Sequence, residues 1–374
     1  MAKFTGHTIT TDSALGGIEL EKSLRFNSGD NAYLERTPSS AGNRKTNTLS
    51  FWVKLGKTGI SDSGTVASCN SSNSNANNIS VVIRDDGEIR IVGYFHNFRI
   101  TDRLIRDSTA WYHIVVAIDT TQASADNRIK LYINGVQETS FSTSGNVSQN
   151  DDLGFAQAST TRIGARSNDG IGSYFDGYLT EVNFIDGQAL DPSYFGFTDA
   201  QTGQWRPKKY GGTYGTTGFH LDFSDNSSTA ALGIDKSGNG NNFTSNNFSV
   251  TAGVTNDSFE DTPTNNFATM NPINRGVDNP TCSNGNLYFG GSTDHVVVAT
   301  FAIPSSGKWY WEYTKTTGTY LMSGIIGDPE KAYLGTSTYL GGQANGYSVY
   351  ASNGQTYAAG RMQLTWPLLQ QARQ

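Results

Sequence analysis

YFDGYLTEVNFIDGQAL, residues 174–190, sets apolar side chains between polar ones from Gly177 to Asp186 and then breaks at Gly187. Alternation of this kind builds a β-strand whose two faces meet different surroundings. Gly187 marks a turn, and Ala189-Leu190 reads as the start of a short helical segment.

The same rhythm recurs toward the N-terminus in SLRF (23–26), TLSFWVKLG (48–56), ISVVIRDDGEIRIVGYF (79–95), WYHIVVAIDTT (111–121), RIKLYINGVQE (128–138) and TRIGA (161–165). Phe51 and Val53 are expected to face a core, with Ser50 and Lys54 toward water and Trp111, His113 and Val115 in the other register. Asp85-Asp86-Gly87 and Asn134-Gly135 supply residues that tolerate positive φ, so each predicts a hairpin. Leu131, Ile133 and Val136 are expected on one buried side of the second hairpin. SCNSSNSNANN (68–78) and STSGNVSQNDD (142–152) read as exposed polar loops.

Composition points the same way. Of 374 residues, 42 are Gly and only 16% are charged, which favours short strands joined by turns over helices. The net charge of −6 and the lack of basic runs argue against a nucleic-acid partner. Cys69 and Cys282 form neither a zinc pattern nor a disulfide framework. MAKFTGHTITTDSALGG lacks the layout of a signal peptide, and no long apolar run predicts a membrane span.

Residues 1–197 read as one sandwich, 198–284 as a connector and 285–374 as a second β-module. Within the connector, FHLDF (219–223) and FSVT (248–251) look like strands around a turn-rich loop, an extra β-hairpin. The last module opens with NLYFGG, HVVVATFAI and KWYWEY; in the last of these Trp309 and Trp311 are expected on one strand face, Tyr310 and Glu312 on the other.

YFDGYLTEVNFIDGQAL followed by DPSYFG resembles the terminal signature of laminin-G-like, concanavalin A-like lectin domains. SLRFNSGDNAYLERTPSSAGNRKTNTLSFWVK and WYHIVVAIDTTQASADNRIKLYINGVQ extend the resemblance over about residues 20–197 in the same order. It implies an all-β jelly-roll sandwich. Thr180-Glu181 stands where the family usually carries Asp-Glu, so no metal role rests on position 180. LDFSDNSSTAALGIDKSGNGNNFT resembles the opening hairpin of such domains displaced to a later place, either completing the first sandwich or left from a second. NLYFGGSTDHVVVATFAIPSSGKWYWEYTKTTGTYLMSGIIG resembles the start of a SPRY-like sandwich, which RMQLTWPLLQQARQ leaves partial. The order of modules is similar to virion structural proteins of tailed bacteriophages.

That resemblance implies a non-enzymatic tail-fibre or receptor-binding protein, assembled in the host cytoplasm and carried on the virion. Its partners would be other virion proteins, further copies of itself and a host-surface glycan or receptor, with no membrane insertion. Capsid decoration or a head fibre is the alternative role, and a polysaccharide depolymerase a third. The five histidines are scattered, and no E-x-D-x-E strand supplies the carboxylate pair of a glycosidase. Hard oxygen donors in DTTQASADN and DKSGNGNN make calcium the cofactor to consider, with Asp119, Asp126, Asp235 and Asn239 as ligands, although these residue types also build ordinary turns. Trp205, Tyr210 and Tyr214 are the candidate sugar-stacking rings; aromatics in such connectors also pack onto neighbouring structure.

Overall fold

Branched and aromatic residues at every second position give strands that need partners on both edges, and here they assemble into two eight-stranded antiparallel sheets. The computed structural model describes residues 16–57, 64–70, 78–94, 96–167, 171–275, 281–290, 296–316, 321–327, 340, 346–351, 354–358 and 361–363. The chain divides into two units, one ending at Asn266 and the other starting at Phe267. In the first unit, one sheet runs Val136–Gln137, Ile129–Ile133, Tyr112–Asp119, Thr46–Leu55, Gly177–Asp186, Ser23–Phe26, Ser258–Phe259, and Phe219–Leu221 also pairs with Gly177–Asp186. The other runs Phe141–Ser144, Asn97–Leu104, Glu88–Val92, Asn78–Ile83, Thr65–Asn70, Thr161–Ile163, Tyr33–Arg36, Thr244–Asn246. Leu49, Phe51, Val53, Ile114, Val116 and Leu179 from the first sheet join Leu34, Cys69, Ile79, Val81, Ile89 and Ile91 from the second in one apolar core. The architecture is an all-β sandwich.

The stretch at 177–186 does not alternate strictly. Leu179 faces the core, but so do Val182 and Phe184, and those positions differ in parity. A β-bulge resolves the conflict: pairing with Thr46–Leu55 jumps from Thr180↔Trp52 to Asn183↔Ser50. Glu181 sits in the bulge with φ +50°, a left-handed conformation uncommon for a residue with a Cβ. At the strand's start, Gly177 has φ +150°, and a Cβ there would stand 2.5 Å from the Lys54 carbonyl oxygen. Glycine is required by that approach.

The outer face of the first sheet is covered rather than wet, which corrects the expectation for Ser50 and Lys54. Both are fully buried. One part of the cover packs Leu190, Phe195 and Tyr210 over Val115 and Ile185. A strap of residues 254–266 covers the rest, with Phe259 against Tyr178 in a cluster that holds Trp52 and Trp111. Charges buried beneath it are paired. Arg25 donates from Nε and Nη2 to Asp257 Oδ1 at 3.0 and 2.9 Å, and Lys54 Nζ lies 2.8 Å from Asp261 Oδ2.

The 198–266 region is therefore built into the sandwich. Phe219–Leu221 and Thr244–Asn246 do not form a hairpin with each other; each joins a different sheet. Residues 248–251 lie outside any strand, although Phe248 enters the core. Both predicted turns form, Gly87 at φ +89° and Asn134-Gly135 at φ 48° and 80°. Val136, on the edge strand, stays 65% exposed instead of turning inward. Residues 68–70 and 142–144 belong to strands, while 71–77 lie outside the described residues. Ala189-Leu190 starts no helix; a single 3₁₀ turn follows at Pro192–Tyr194, capped by Asp191.

In the second unit, Met270–Arg275 pairs with Val297–Ala299 and Thr281–Ser283 with Tyr288–Gly290. Met322–Ile326, Gly346–Tyr350, Thr356–Ala358 and Arg361–Gln363 form an antiparallel meander. Residues 308–313 join none of these sheets, contrary to the expected strand, and all six are exposed. Alternation shapes two faces, but a strand exists only where a neighbour accepts its backbone hydrogen bonds.

Removing one member of a buried ion pair strands the other charge in a low-dielectric site. Asp257→Ala is expected to cost about 3–5 kcal/mol in urea unfolding. A loss below about 1 kcal/mol, the range of surface pairs, would show that the strap does not secure the fold.

Candidate functional site

At one end of the sandwich, two polar loops are bound into a single rim. Asn150 N–H donates to the Thr120 carbonyl at 2.8 Å, Thr120 Oγ1 to the Asp151 carbonyl at 2.8 Å, and Gln149 Nε2 to the Thr121 carbonyl at 2.9 Å. Arg128 is the hub. Its guanidinium donates to the carbonyls of Gln122 (2.8 Å), Ala123 (2.8 Å) and Val147 (2.6 Å), so one buried cation draws both loops together. Thr121, Gln122, Asp126, Ser148, Gln149, Asn150, Asp151 and Asp152 are left exposed on the outside.

Asp119 and Asp126 both belong to this rim. Asp119 is engaged in its own turn, accepting from Thr121 N and Oγ1 and from Gln122 Nε2. Burial opposes its ionised form, but these hydrogen bonds and the Lys130 charge hold its carboxyl below the usual value. The converging carbonyls that a calcium ion would use point instead at Arg128, which already supplies the positive charge. Asp235 and Asn239 lie elsewhere, in another turn. Asp235 accepts from His220 N, Ser237 N, Ser237 Oγ and Asn241 N, and Asn239 Nδ2 donates to the carbonyls of Gly215 and Gly218. Among the described residues no three His, Cys, Asp or Glu side chains cluster as a metal site. The donors do not fit a bound calcium ion.

The candidate stacking rings are brought together, but against the outer face of the first sheet. Trp205 stacks over His113 at 6.0 Å, which in turn stacks on Trp52 at 4.9 Å. A Cβ at Gly135 or Gly196 would come within 2.5 Å of the Trp205 ring, so the indole fills a slot. Tyr210 is buried and stacks on Phe195 at 5.3 Å, and Tyr214 meets it edge-on at 5.1 Å. The Tyr210 hydroxyl donates to Thr213 and that of Tyr214 to Asn183 Oδ1. These rings pack on protein. The shallow dent beside them, lined by Ser50, Trp52, His113, Glu181 and Lys208, has no room for a water molecule.

Ser50 Oγ lies 2.9 Å from His113 Nε2, the separation of a nucleophile and its base. Its polarity is wrong for that work. The Trp205 indole N–H donates to His113 Nδ1 at 3.0 Å, so Nδ1 must accept. The one proton of the neutral ring then sits on Nε2 and is donated to Ser50. Burial lowers the His113 pKa to about 3, keeping the ring neutral. The pair therefore cannot deprotonate its serine.

The bulge at Glu181 carries a second histidine. Glu181 Oε2 lies 3.0 Å from His220 Nε2, and the Tyr214 ring stacks on His220 at 6.1 Å. Burial disfavours the charged imidazole, but the hydrogen bond and charge of Glu181, with Asp222 and Asp235, outweigh it and the pKa is raised. Sequence reasoning missed both Arg128 and this pair. A lone basic residue following DTTQASADN was the available signal for the first, and the break in parity at Glu181 for the second.

Residues 27–193 match the family model of the Concanavalin A-like lectin/glucanases superfamily, a laminin-G type. The match spans under half of the chain, and the two-sheet sandwich agrees with it in fold. No curated protein matches the chain. Among solved structures, it is similar to a native heptameric SAP-like pentraxin from Limulus polyphemus, at 18% identity, TM-score 0.35, covering 47% of this chain and 80% of that one. Domains LG4-5 of the mouse laminin alpha1 chain are 14% identical at TM-score 0.32, covering 50% and 47%. The enzymatically active domain of Bacteriophage CBA120 tailspike protein 2 is 15% identical at TM-score 0.33, covering 50% and 28%.

Two opposite pH effects are expected. The His113 pKa lies below its unfolded value of about 6.5, so its contribution is complete above that pH and is lost as pH falls toward 3, about 5 kcal/mol in all. The His220 pKa is raised, so its contribution is complete below about pH 6.5 and is lost as pH rises through the folded value. Melting temperature against pH should flatten on the acid side in His113→Gln and on the neutral side in His220→Gln; unchanged profiles would refute the assignments. For the rim, Arg128→Ala should speed amide hydrogen exchange in both 121–127 and 145–152, whereas a change in one loop alone would show that Arg128 does not couple them.

Proposed function

We propose that this chain is a non-enzymatic structural protein of a tailed-bacteriophage virion, of the tail-fibre or receptor-binding type. It presents the 119–128 and 145–152 rim to a host-surface glycan or protein. The observation that carries this reading is the Arg128-bound rim: exposed amides, hydroxyls and carboxylates held in one geometry on a rigid lectin-like sandwich. Preordered polar groups lose little entropy on binding, so a flat patch can hold sugar hydroxyls without a deep cavity. Each contact is weak alone. Repeated copies on a symmetric particle, joined through other virion proteins, convert weak contacts into firm attachment.

The reversed Ser50–His113 dyad supports a binding role over hydrolysis. So does the apolar void between the sheets, lined by Leu49, Phe155, Phe184 and Phe219, at about 10 Å³ too small for a sugar ring.

The test is retention of the full chain on immobilised envelope polysaccharide of host cells. Retention without release of reducing ends, persisting in chelator, is expected, and Asp126→Ala with Asp152→Ala should weaken it about tenfold or more, as central contact residues do. Release of reducing ends would replace the reading with a depolymerase. Association with purified capsids in place of host polysaccharide would move the chain to capsid decoration.

A further inference from the structure

The end of the strap, residues 261–266, places three reactive groups together. Lys54, on the central strand Thr46–Leu55, is fully buried, and its Nζ lies 2.8 Å from both Asp261 Oδ2 and Asn266 Oδ1. The Asn266 amide is oriented: its Nδ2 donates to the Thr109 carbonyl at 2.7 Å, which turns the carbonyl end toward the lysine. Asp261 is fixed from the other side by the Trp111 indole, which donates to Oδ1 at 3.0 Å. An amine, a carboxamide and a carboxyl group are thus in mutual contact beside the buried rings of Trp111 and Tyr178.

We infer that Lys54 and Asn266 join in an intramolecular isopeptide bond, with Asp261 as the proton carrier. The ammonium of Lys54 passes one proton to Asp261, and the neutral Nζ attacks Cγ of Asn266 to form a new C–N bond. A second proton moves from Nζ through the same carboxyl to Nδ2, the Cγ–Nδ2 bond breaks and ammonia leaves. Atoms balance with no oxidant or cofactor: one secondary amide forms, one ammonia is lost and Asp261 ends as the neutral acid.

The surroundings favour each step. Burial lowers the Lys54 pKa, opposed by the charge and hydrogen bond of Asp261 and by the charge of Asp107, so the free amine is easier to reach. Lys54 and Asp261 are buried, which keeps bulk water from the amine and the proton carrier, and held contact replaces a chance encounter. The bond would tie positions 212 apart in sequence, fixing the end of the strap to the centre of the first sheet. Tension along the chain would then pass from Lys54 to Asn266 without loading the strands between, a property suited to an extracellular module.

Mass spectrometry of the purified full chain tests this. The wild-type protein is expected to be lighter than its sequence by one ammonia, and proteolysis should yield a branched peptide joining the segments of Lys54 and Asn266. Asn266→Ala should show its full sequence mass and a lower melting temperature. Asn266→Asp should lose water instead and arrive at the same cross-linked mass as wild type, which keeps the test open if the alanine variant does not fold. A wild-type chain at full sequence mass, or a mass deficit without the branched peptide, overturns the inference.

Discussion

Both faces of the first sheet are buried, and most of what is specific to this chain follows from that. A sheet with one wet face tolerates any polar residue there, whereas a covered face requires each polar or charged group to find a partner. Lys54, Arg25, His113 and Glu181 all lie on or beside the covered face, and each has one: Asp261, Asp257, Trp205 and Ser50, and His220. Apart from Ser50, the partners come from residues 198–266, so the matched segment at 27–193 is closed by chain that follows it. The fold is more than the segment that the family model matches.

The same cover decides what the surface can do. Aromatic rings suited to stacking on sugars are used to seal the sheet: Tyr210 is buried, and Trp205 and Tyr214 are half-buried with a face against protein. What stays exposed at the end of the sandwich is polar, and there Arg128 does with a guanidinium what a bound cation does in other loops: it gathers backbone carbonyls from two segments.

Much of the sandwich was legible in the sequence because hairpin chemistry is local. Asp85-Asp86-Gly87 and Asn134-Gly135 need nothing beyond their neighbours to turn, and Phe51 and Val53 face inward as alternation requires. The failures share a cause. Ser50 and Lys54 read as wet, residues 219–223 and 248–251 as one hairpin, and KWYWEY as a strand, because alternation reports two unlike faces and does not say what lies against either. The rim was half visible: the segment carrying Asp119 and Asp126 reads from the sequence as a polar turn, but that Arg128 joins it to residue 147 depends on a contact between distant segments.

By itself the sequence determined the all-β class, the turns and the inward register, since these depend on φ/ψ preferences and on the two-residue period of a strand. Tertiary structure alone decided the bulge at Glu181, the pairing of Lys54 with Asp261 and Asn266, and the packing of Trp205 on His113. Each of these joins residues distant in the chain, and whether a polar group meets water or a partner is settled only when remote segments close over it.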